Sequence, residues 1–191
     1  MQFRLLYEGP IQSRANIKIG QIHKIRMALH PQIKALWEYK PLSDQKHYLR
    51  EECPPGDIAI LERANDVLFA PLVTQNNNMA CEIDITLLRQ QAPGQLLGEG
   101  GDLDDRMKTL FDALRKPSTQ EAQQAQIDPL PNNEPIHCLL QDDSLVLKVA
   151  VETDRLLRPA SDPYDLVAII QVRVVLSRVT GGTIGLLSRS Q

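Results

Sequence analysis

Two acidic clusters carry the residues best suited to chemistry. Asp102 and Asp104 are separated by one residue within Gly100-Gly101-Asp102-Leu103-Asp104-Asp105-Arg106-Met107-Lys108-Thr109-Leu110-Phe111-Asp112-Ala113-Leu114, and Asp142-Asp143 opens a later segment. On an extended backbone, side chains at i and i+2 project to the same side. Two carboxylates held together repel, so ionising both is costly unless a cation sits between them. A hard divalent ion such as Mg²⁺ or Mn²⁺ is the natural partner of an oxygen set. Lys108 lies one helical turn beyond Asp104, where its ammonium can hold a phosphate oxygen or stabilise transition-state charge. The second cluster, Gln141-Asp142-Asp143-Ser144, precedes a strand and is in a position to offer a third carboxylate. The set suits phosphodiester hydrolysis, in which the ion makes hydroxide available near neutral pH and offsets the charge of the scissile phosphate.

The same residues also suit purely structural roles. Asp102 is a good helix N-cap, and Asp104 and Asp105 in a first turn favour the positive end of the helix dipole, each by about 0.3–1 kcal/mol. Asp142-Asp143 fits a turn before a strand. Lys108 is spaced as an i,i+4 partner of Asp104 or Asp112. Pairs of the DxD and DD kind are common, so spacing alone leaves both readings open.

The elements that must position these residues follow from periodicity. Phe3 to Tyr7 reads as a strand stopped by Gly9-Pro10. Ile19, Ile22, Ile25, Leu29, Ile33 and Leu36 mark an amphipathic helix, kinked or restarted at Pro31, with Lys18, Lys24, Arg26 and Lys34 on a solvated face or, alternatively, on a surface that meets phosphates. Residues 38–56 read as a loop. Ile58 to Leu61 and Val67 to Val73 flank residues 62–66 as a hairpin. Cys81, Ile83, Ile85 and Leu87 alternate with Glu82, Asp84 and Thr86, as a half-buried strand does. A Gly-rich stretch from Pro93 to Gly101 leads into a helix marked by Leu103, Met107, Leu110, Phe111 and Leu114 and stopped by Pro117. Residues 117–135, rich in Gln, Pro and Asn, form an excursion without apolar period. Leu145 to Thr153 and Leu166 to Leu176 read as an antiparallel pair. The expected fold is one α+β domain over 1–176, a mixed sheet of about four to six strands with helices packed on it, followed by a tail at 177–191.

Composition narrows the function classes. The 191 residues are 42% hydrophobic and 24% charged, which suits a globular core. Aromatics are 4%, too few for a stacking platform on single-stranded nucleic acid. The net charge of −3 lacks the basic excess of a dedicated duplex binder. Cys53, Cys81 and Cys138 form no CxxC pair, so neither a zinc site nor a disulfide framework is indicated. With no signal peptide and no apolar run near the roughly 20 residues that span a bilayer, the expected location is cytoplasmic, away from membranes.

The pattern DLD-x-x-x-K-x-x-FDAL, at Asp102, Leu103, Asp104, Lys108, Phe111, Asp112, Ala113 and Leu114, resembles the signature of the RusA family of Holliday-junction resolvases. A DD-x-x-V element at Asp142, Asp143 and Val146 extends the resemblance, which covers about 102–114 and 141–153. It implies a homodimeric, Mg²⁺- or Mn²⁺-dependent endonuclease that resolves branched, four-way DNA by paired nicks, in recombination and repair. It further implies that Asp102, Asp104 and Asp143 are metal ligands and Lys108 the catalytic lysine. The chain departs from that pattern in two places. Asp105 stands where Asn is usual, and Gly98-Glu99-Gly100-Gly101 replaces a run of arginines. Phosphate contacts would then come from Arg14, Lys18, Lys24, Arg89, Arg106 or Arg115. Segments 38–78 and 117–140 have no counterpart in the family and read as insertions. A rival reading is a RusA-like DNA-binding or assembly module without catalysis. A nucleotide-sugar DxD of a glycosyltransferase suits this short chain poorly.

Overall fold

A computed structural model describes residues 1–12, 18–90, 103–159 and 165–177; Asp102, Arg14, the Gly-rich stretch and the tail beyond Ser177 lie outside them. The fold is α+β, with seven strands among the described residues divided between two mixed sheets. The first sheet contains β1 (Gln2–Pro10), β4 (Met79–Arg89), β6 (Val146–Arg155) and β7 (Asp165–Leu176), in the order β1-β7-β4-β6. The second contains β2 (Glu62–Ala64), β3 (Val67–Val73) and β5 (Ile136–Leu140), in the order β2-β3-β5.

β4 is the spine of the first sheet. It runs antiparallel to β7 on one side and parallel to β6 on the other. Cys81, Ile83, Ile85 and Leu87 are all buried, while Glu82, Asp84 and Thr86 lie on the opposite face, as their alternation predicts. That opposite face carries cross-strand polar pairs. Arg4 donates to Gln171, Arg173 to Glu82, and Lys148 to Asp84. The last two strands are thus not partners of each other, contrary to the expected antiparallel pair. β4 lies between them, a crossover that local sequence patterns do not encode.

Helix α1 (Ile19–Leu36) packs against β1 of one sheet and β5 of the other. It continues through Pro31 as one element rather than restarting there. Its buried stripe is Ile22, Ile25, Arg26, Leu29, His30 and Ile33, so Arg26 belongs to the interior and not to a solvated face.

The two segments read as insertions build the second sheet together. β3 from the first pairs in parallel with β5 from the second. The hairpin is displaced from its expected place: Ile58 to Leu61 are not a strand, and the first strand is β2, Glu62–Ala64, within the stretch expected to turn, with the turn itself at Asn65-Asp66. Asn65 takes a positive φ of 55°, a conformation Asn tolerates. The polar excursion contains helix α3 (Thr119–Gln124), started by a capping box in which Ser118 and Glu121 bond reciprocally. A separate small core of Ala64, Val67, Phe69, Ala122, Ile127, Ile136 and Cys138 fills this side. Residues 38–56, read as a loop, wind through a 3-10 turn at Leu42–Tyr48 that buries Leu42 and Tyr48.

His30 and His137 sit at the seam between α1 and β5. The His30 Nδ1 accepts the backbone N–H of His137 at 2.8 Å, which requires that nitrogen to be unprotonated. Burial, with His30 and Lys34 nearby, pushes His137 down to about 4, against the opposing pull of Glu134. Between pH 6.5 and 4 the unfolded chain therefore takes up a proton at this residue that the native state refuses, and stability falls as pH falls. The His137 contribution to that loss is up to about 3 kcal/mol. Urea unfolding at pH 7, 5.5 and 4.5 should show the decline, and the slope should flatten in His137→Leu. An unchanged slope in the variant would remove His137 from the acid response.

Candidate functional site

Helix α2 (Leu103–Leu114) is held at both ends by buried arginines. The Arg26 guanidinium donates from Nη2 to the carbonyl of Asp112 at 2.6 Å and from Nε to that of Arg115 at 3.1 Å. These are carbonyls that the last helical turn leaves without partners, and a cation there also suits the negative end of the helix dipole. Nearer the start of α2, Arg106 donates from Nη1 to the carbonyl of Ile11 at 2.8 Å, tying the helix to the chain leaving β1. Met107, Leu110, Ala113 and Leu114 complete the buried face.

This anchoring leaves Asp104 and Lys108 on the outward face. Lys108 Nζ lies 2.7 Å from Asp104 and 3.2 Å from Asp105. Hydrogen bonds that the ammonium donates to the Asp104 and Asp105 carboxylates raise Lys108 above its ordinary value, so it stays charged through neutral pH. The i,i+4 pairing expected on structural grounds is therefore present, between groups open to solvent, and an exposed pair of this kind adds little to stability.

Lys108 meets the second acidic cluster across an open cavity of about 380 Å³. Its walls are Lys108 and Phe111 from α2, Asp143 and Ser144 from the 3-10 turn at Asp143–Leu145, and Val146 to Val149 of β6. Parallel pairing of β6 with β4 places this turn where it faces α2. Asp142 and Asp143 diverge. The Asp142 Oδ1 accepts the Ser144 N–H at 3.0 Å, and hydrogen bonding from Ser144 holds its carboxyl below the usual range. Asp142 lines a neighbouring polar cavity with Glu62, Arg115, Lys116 and Gln141, while Asp143 lines the cavity shared with Lys108.

Of the four residues singled out in the sequence, Lys108 and Asp143 thus share a cavity and Asp104 joins through its ion pair with Lys108. Asp102 lies outside the described residues. Among those described, no group of three or more His, Cys, Asp or Glu is clustered as a metal site. The donors at hand, Asp104 and Asp143, are exposed carboxylates, and their oxygens fit a hard divalent ion rather than zinc or copper. The cysteines do not contribute: Cys81 and Cys138 are buried, and burial pushes both thiols up to about 12.

The cations proposed for phosphate contacts are largely committed elsewhere. Arg89 and Arg106 are buried, at 6% and 2% exposure. Arg115 is clamped by Asp112 and Glu121, each at 2.7 Å, and Glu121 is thereby drawn down to about 2 against the opposing effect of burial. Lys116 pairs with Glu62, and Lys34 with Glu134. Lys18, which caps the start of α1, and Lys24 on α1 remain exposed. One signal for Arg26 was present in the sequence. It falls at i+4 from Ile22, on the same stripe as Ile25, Leu29 and Ile33.

No protein-family model, curated protein or solved structure matches the chain. No helix among the described residues is long and apolar enough to cross a membrane.

Removing the Arg26 side chain should loosen α2 before anything else. Arg26→Ala leaves the carbonyls of Asp112 and Arg115 without their buried donor, at a cost of about 2–4 kcal/mol. Chemical denaturation should report that loss, and amide exchange should show the last turn of α2 opening first. A variant as stable as the parent would mean that water or a neighbouring side chain satisfies those carbonyls.

Proposed function

We propose that this protein is a divalent-metal-dependent endonuclease acting on branched DNA, working as a homodimer in the manner the RusA resemblance implies. The observation that supports this best is the shared cavity of Lys108 and Asp143, residues far apart in sequence that belong to the two motifs of that resemblance. Asp104 and Asp143, with Asp102, are the residues that would hold Mg²⁺ or Mn²⁺. When bound, the ion supplies a nucleophilic hydroxide at neutral pH and neutralises phosphate charge.

The remaining work falls to the chain's own side chains. Lys108, charged and on a buried-face helix, is placed to hold a non-bridging phosphate oxygen as negative charge builds. Its pairing with Asp104 keeps the ammonium at the rim until phosphate or metal competes for one of the two partners. The Arg26 and Arg106 anchors keep α2 from shifting as that exchange occurs. Phe111, Val146 and Val149 give the open cavity an apolar wall beside Lys108 and Asp143.

A second reading is supported by the arginines. With Arg89 and Arg106 buried and Arg115 closed in ion pairs, few cations are left for the DNA backbone, as suits a RusA-like binding or assembly module that does not cleave. Incubation with an end-labelled four-way junction and Mg²⁺ separates the two. The nuclease reading expects paired nicks that require metal and vanish in Asp104→Asn. Lys108→Ala should cut the rate by about a hundredfold or more, a typical cost for losing one transition-state contact, without lowering the unfolding midpoint. Retention of the junction with no cleavage by the parent protein would favour the module.

A further inference from the structure

We propose that the cavity shared by Lys108 and Asp143 takes one unstacked nucleobase against its apolar wall, beside the phosphate that Lys108 holds. This deepens the reading of branched DNA as the substrate and rests on it. A bulge in β6 builds the wall. In the pairing of β4 with β6, Cys81 stands opposite Val146 and Glu82 opposite Lys148, so Leu147 is an extra residue with no place in the ladder. On a regular strand successive side chains point to opposite faces. Here Val146, Leu147, Lys148 and Val149 line one cavity in unbroken sequence. An extra residue re-aims the side chains around it, and bulges recur beside active sites for that reason. The outcome is two large apolar side chains open to solvent, Leu147 at 64% and Val149 at 46% exposure.

The chemistry of the cavity selects a nucleotide as the occupant. Lys108 and Phe111 stand three residues apart on α2, where side chains are neighbours with about 5–6 Å between Cβ atoms. A sugar separates a base from its phosphate on the same scale. The ammonium, charged at neutral pH, suits the phosphate, while Phe111, Leu147 and Val149 suit the face of a ring. A wholly apolar partner would leave the lysine uncovered. The volume of about 380 Å³ lies near the lower end of small-molecule sites, with room for one nucleotide and not for a stacked base pair. β6 is also the edge of its sheet, and its outward N–H and C=O groups meet no partner among the described residues. Donors and acceptors for the edge of a base therefore stand beside the wall. One base held in this way needs a single aromatic ring, unlike the platform that a run of bases requires.

Such a pocket would make the base, and not the backbone, the sensor of branching. Taking a base out of a paired duplex is costly, and the cost is least where pairing and stacking are already interrupted. At a branch point the stack is broken, so a base reaches the cavity there and not along an intact duplex. Lys108 contacts a phosphate, which every DNA carries and which positions the strand without identifying it. The bulge at Leu147 then belongs to recognition, and it serves a cleaving and a non-cleaving protein equally.

Four-way junctions carrying 2-aminopurine in turn at each base next to the branch point test the pocket. Ca²⁺ replaces Mg²⁺, so that capture is read without cleavage. The analogue is quenched inside a stack and bright outside it. The parent protein should raise its fluorescence at one of these positions and leave an intact duplex unchanged. Leu147→Ser should abolish the rise and weaken capture about tenfold, the scale of one base contact, with the unfolding midpoint unchanged. Leu147→Trp should tighten capture, because an indole offers the base a larger face. An abasic site in place of the responsive base should weaken capture by the parent as much as Leu147→Ser does, and should make the two proteins alike. A flat signal at every position of a captured junction, or a defect of Leu147→Ser that persists in full on the abasic junction, would overturn the base pocket and leave the substrate reading standing. A parent that captures no junction at all would overturn both.

Discussion

The guanidinium of Arg26 is where the interior and the candidate site are joined. It sits on the buried stripe of α1, yet its donors end on the carbonyls that finish α2. A buried cation is tolerable only where its hydrogen bonds are met, and here the partners are groups that would otherwise be orphans themselves. The exchange orients α2 so that Met107, Leu110 and Leu114 face inward. Asp104 and Lys108, on the other side of the same helix, are then outward by necessity. Arg106 makes the matching attachment to the chain after β1, so a helix of three turns is fixed at two points.

What holds the other half of the cavity is strand order. β4 accepts β6 in parallel, and a parallel pair needs a long crossover. That crossover contains α2, α3 and β5, so the helix bearing Lys108 and the turn bearing Asp143 belong to a single connection between neighbouring strands. The second sheet is assembled on the way, from segments that a family pattern would treat as additions. They are better understood as structural. β5 supplies the surface on which α1 rests, and its parallel bridge at Leu140 with Arg115 receives the chain leaving α2.

The parts legible in the sequence were those whose burial follows a local period. β4 alternates, α1 and α2 repeat every three or four residues, and each is seen where that period places it. β5 could not be read the same way, because Ile136, His137, Cys138, Leu139 and Leu140 are buried on both faces and show no alternation. The partner of each strand was equally hidden, since pairing is decided by contacts between distant segments. For the site, residue types and spacing singled out Lys108 and the Asp142-Asp143 pair, and the family resemblance picked Asp143 from that pair; the fold puts Asp143 and Lys108 on one cavity and Asp142 on another. Residue types and spacing could not distinguish a cation that serves the surface from one the core has claimed. Arg89, Arg106 and Arg115 look like phosphate contacts in a sequence and are occupied in the folded chain.

That allocation of charge shapes how such a protein would meet DNA. A net charge of −3 gives no long-range attraction, and burial of several arginines weakens the basic surface further. Around the cavity, the cations left in solvent are Lys108 and Lys148, and both stand beside carboxylates, Asp104 and Asp84. An exposed pair of this type is weak and exchanges readily, so a phosphate can displace a carboxylate once that carboxylate finds a metal. Metal and phosphate would then favour each other's arrival, because either one frees the partner that the other uses. On the proposed reading, a surface so neutral at rest would become attractive to a phosphodiester only where a metal takes up the carboxylates. Recognition built this way would depend on local geometry around the rim, and duplex DNA unable to bring a backbone into that rim would gain nothing from it.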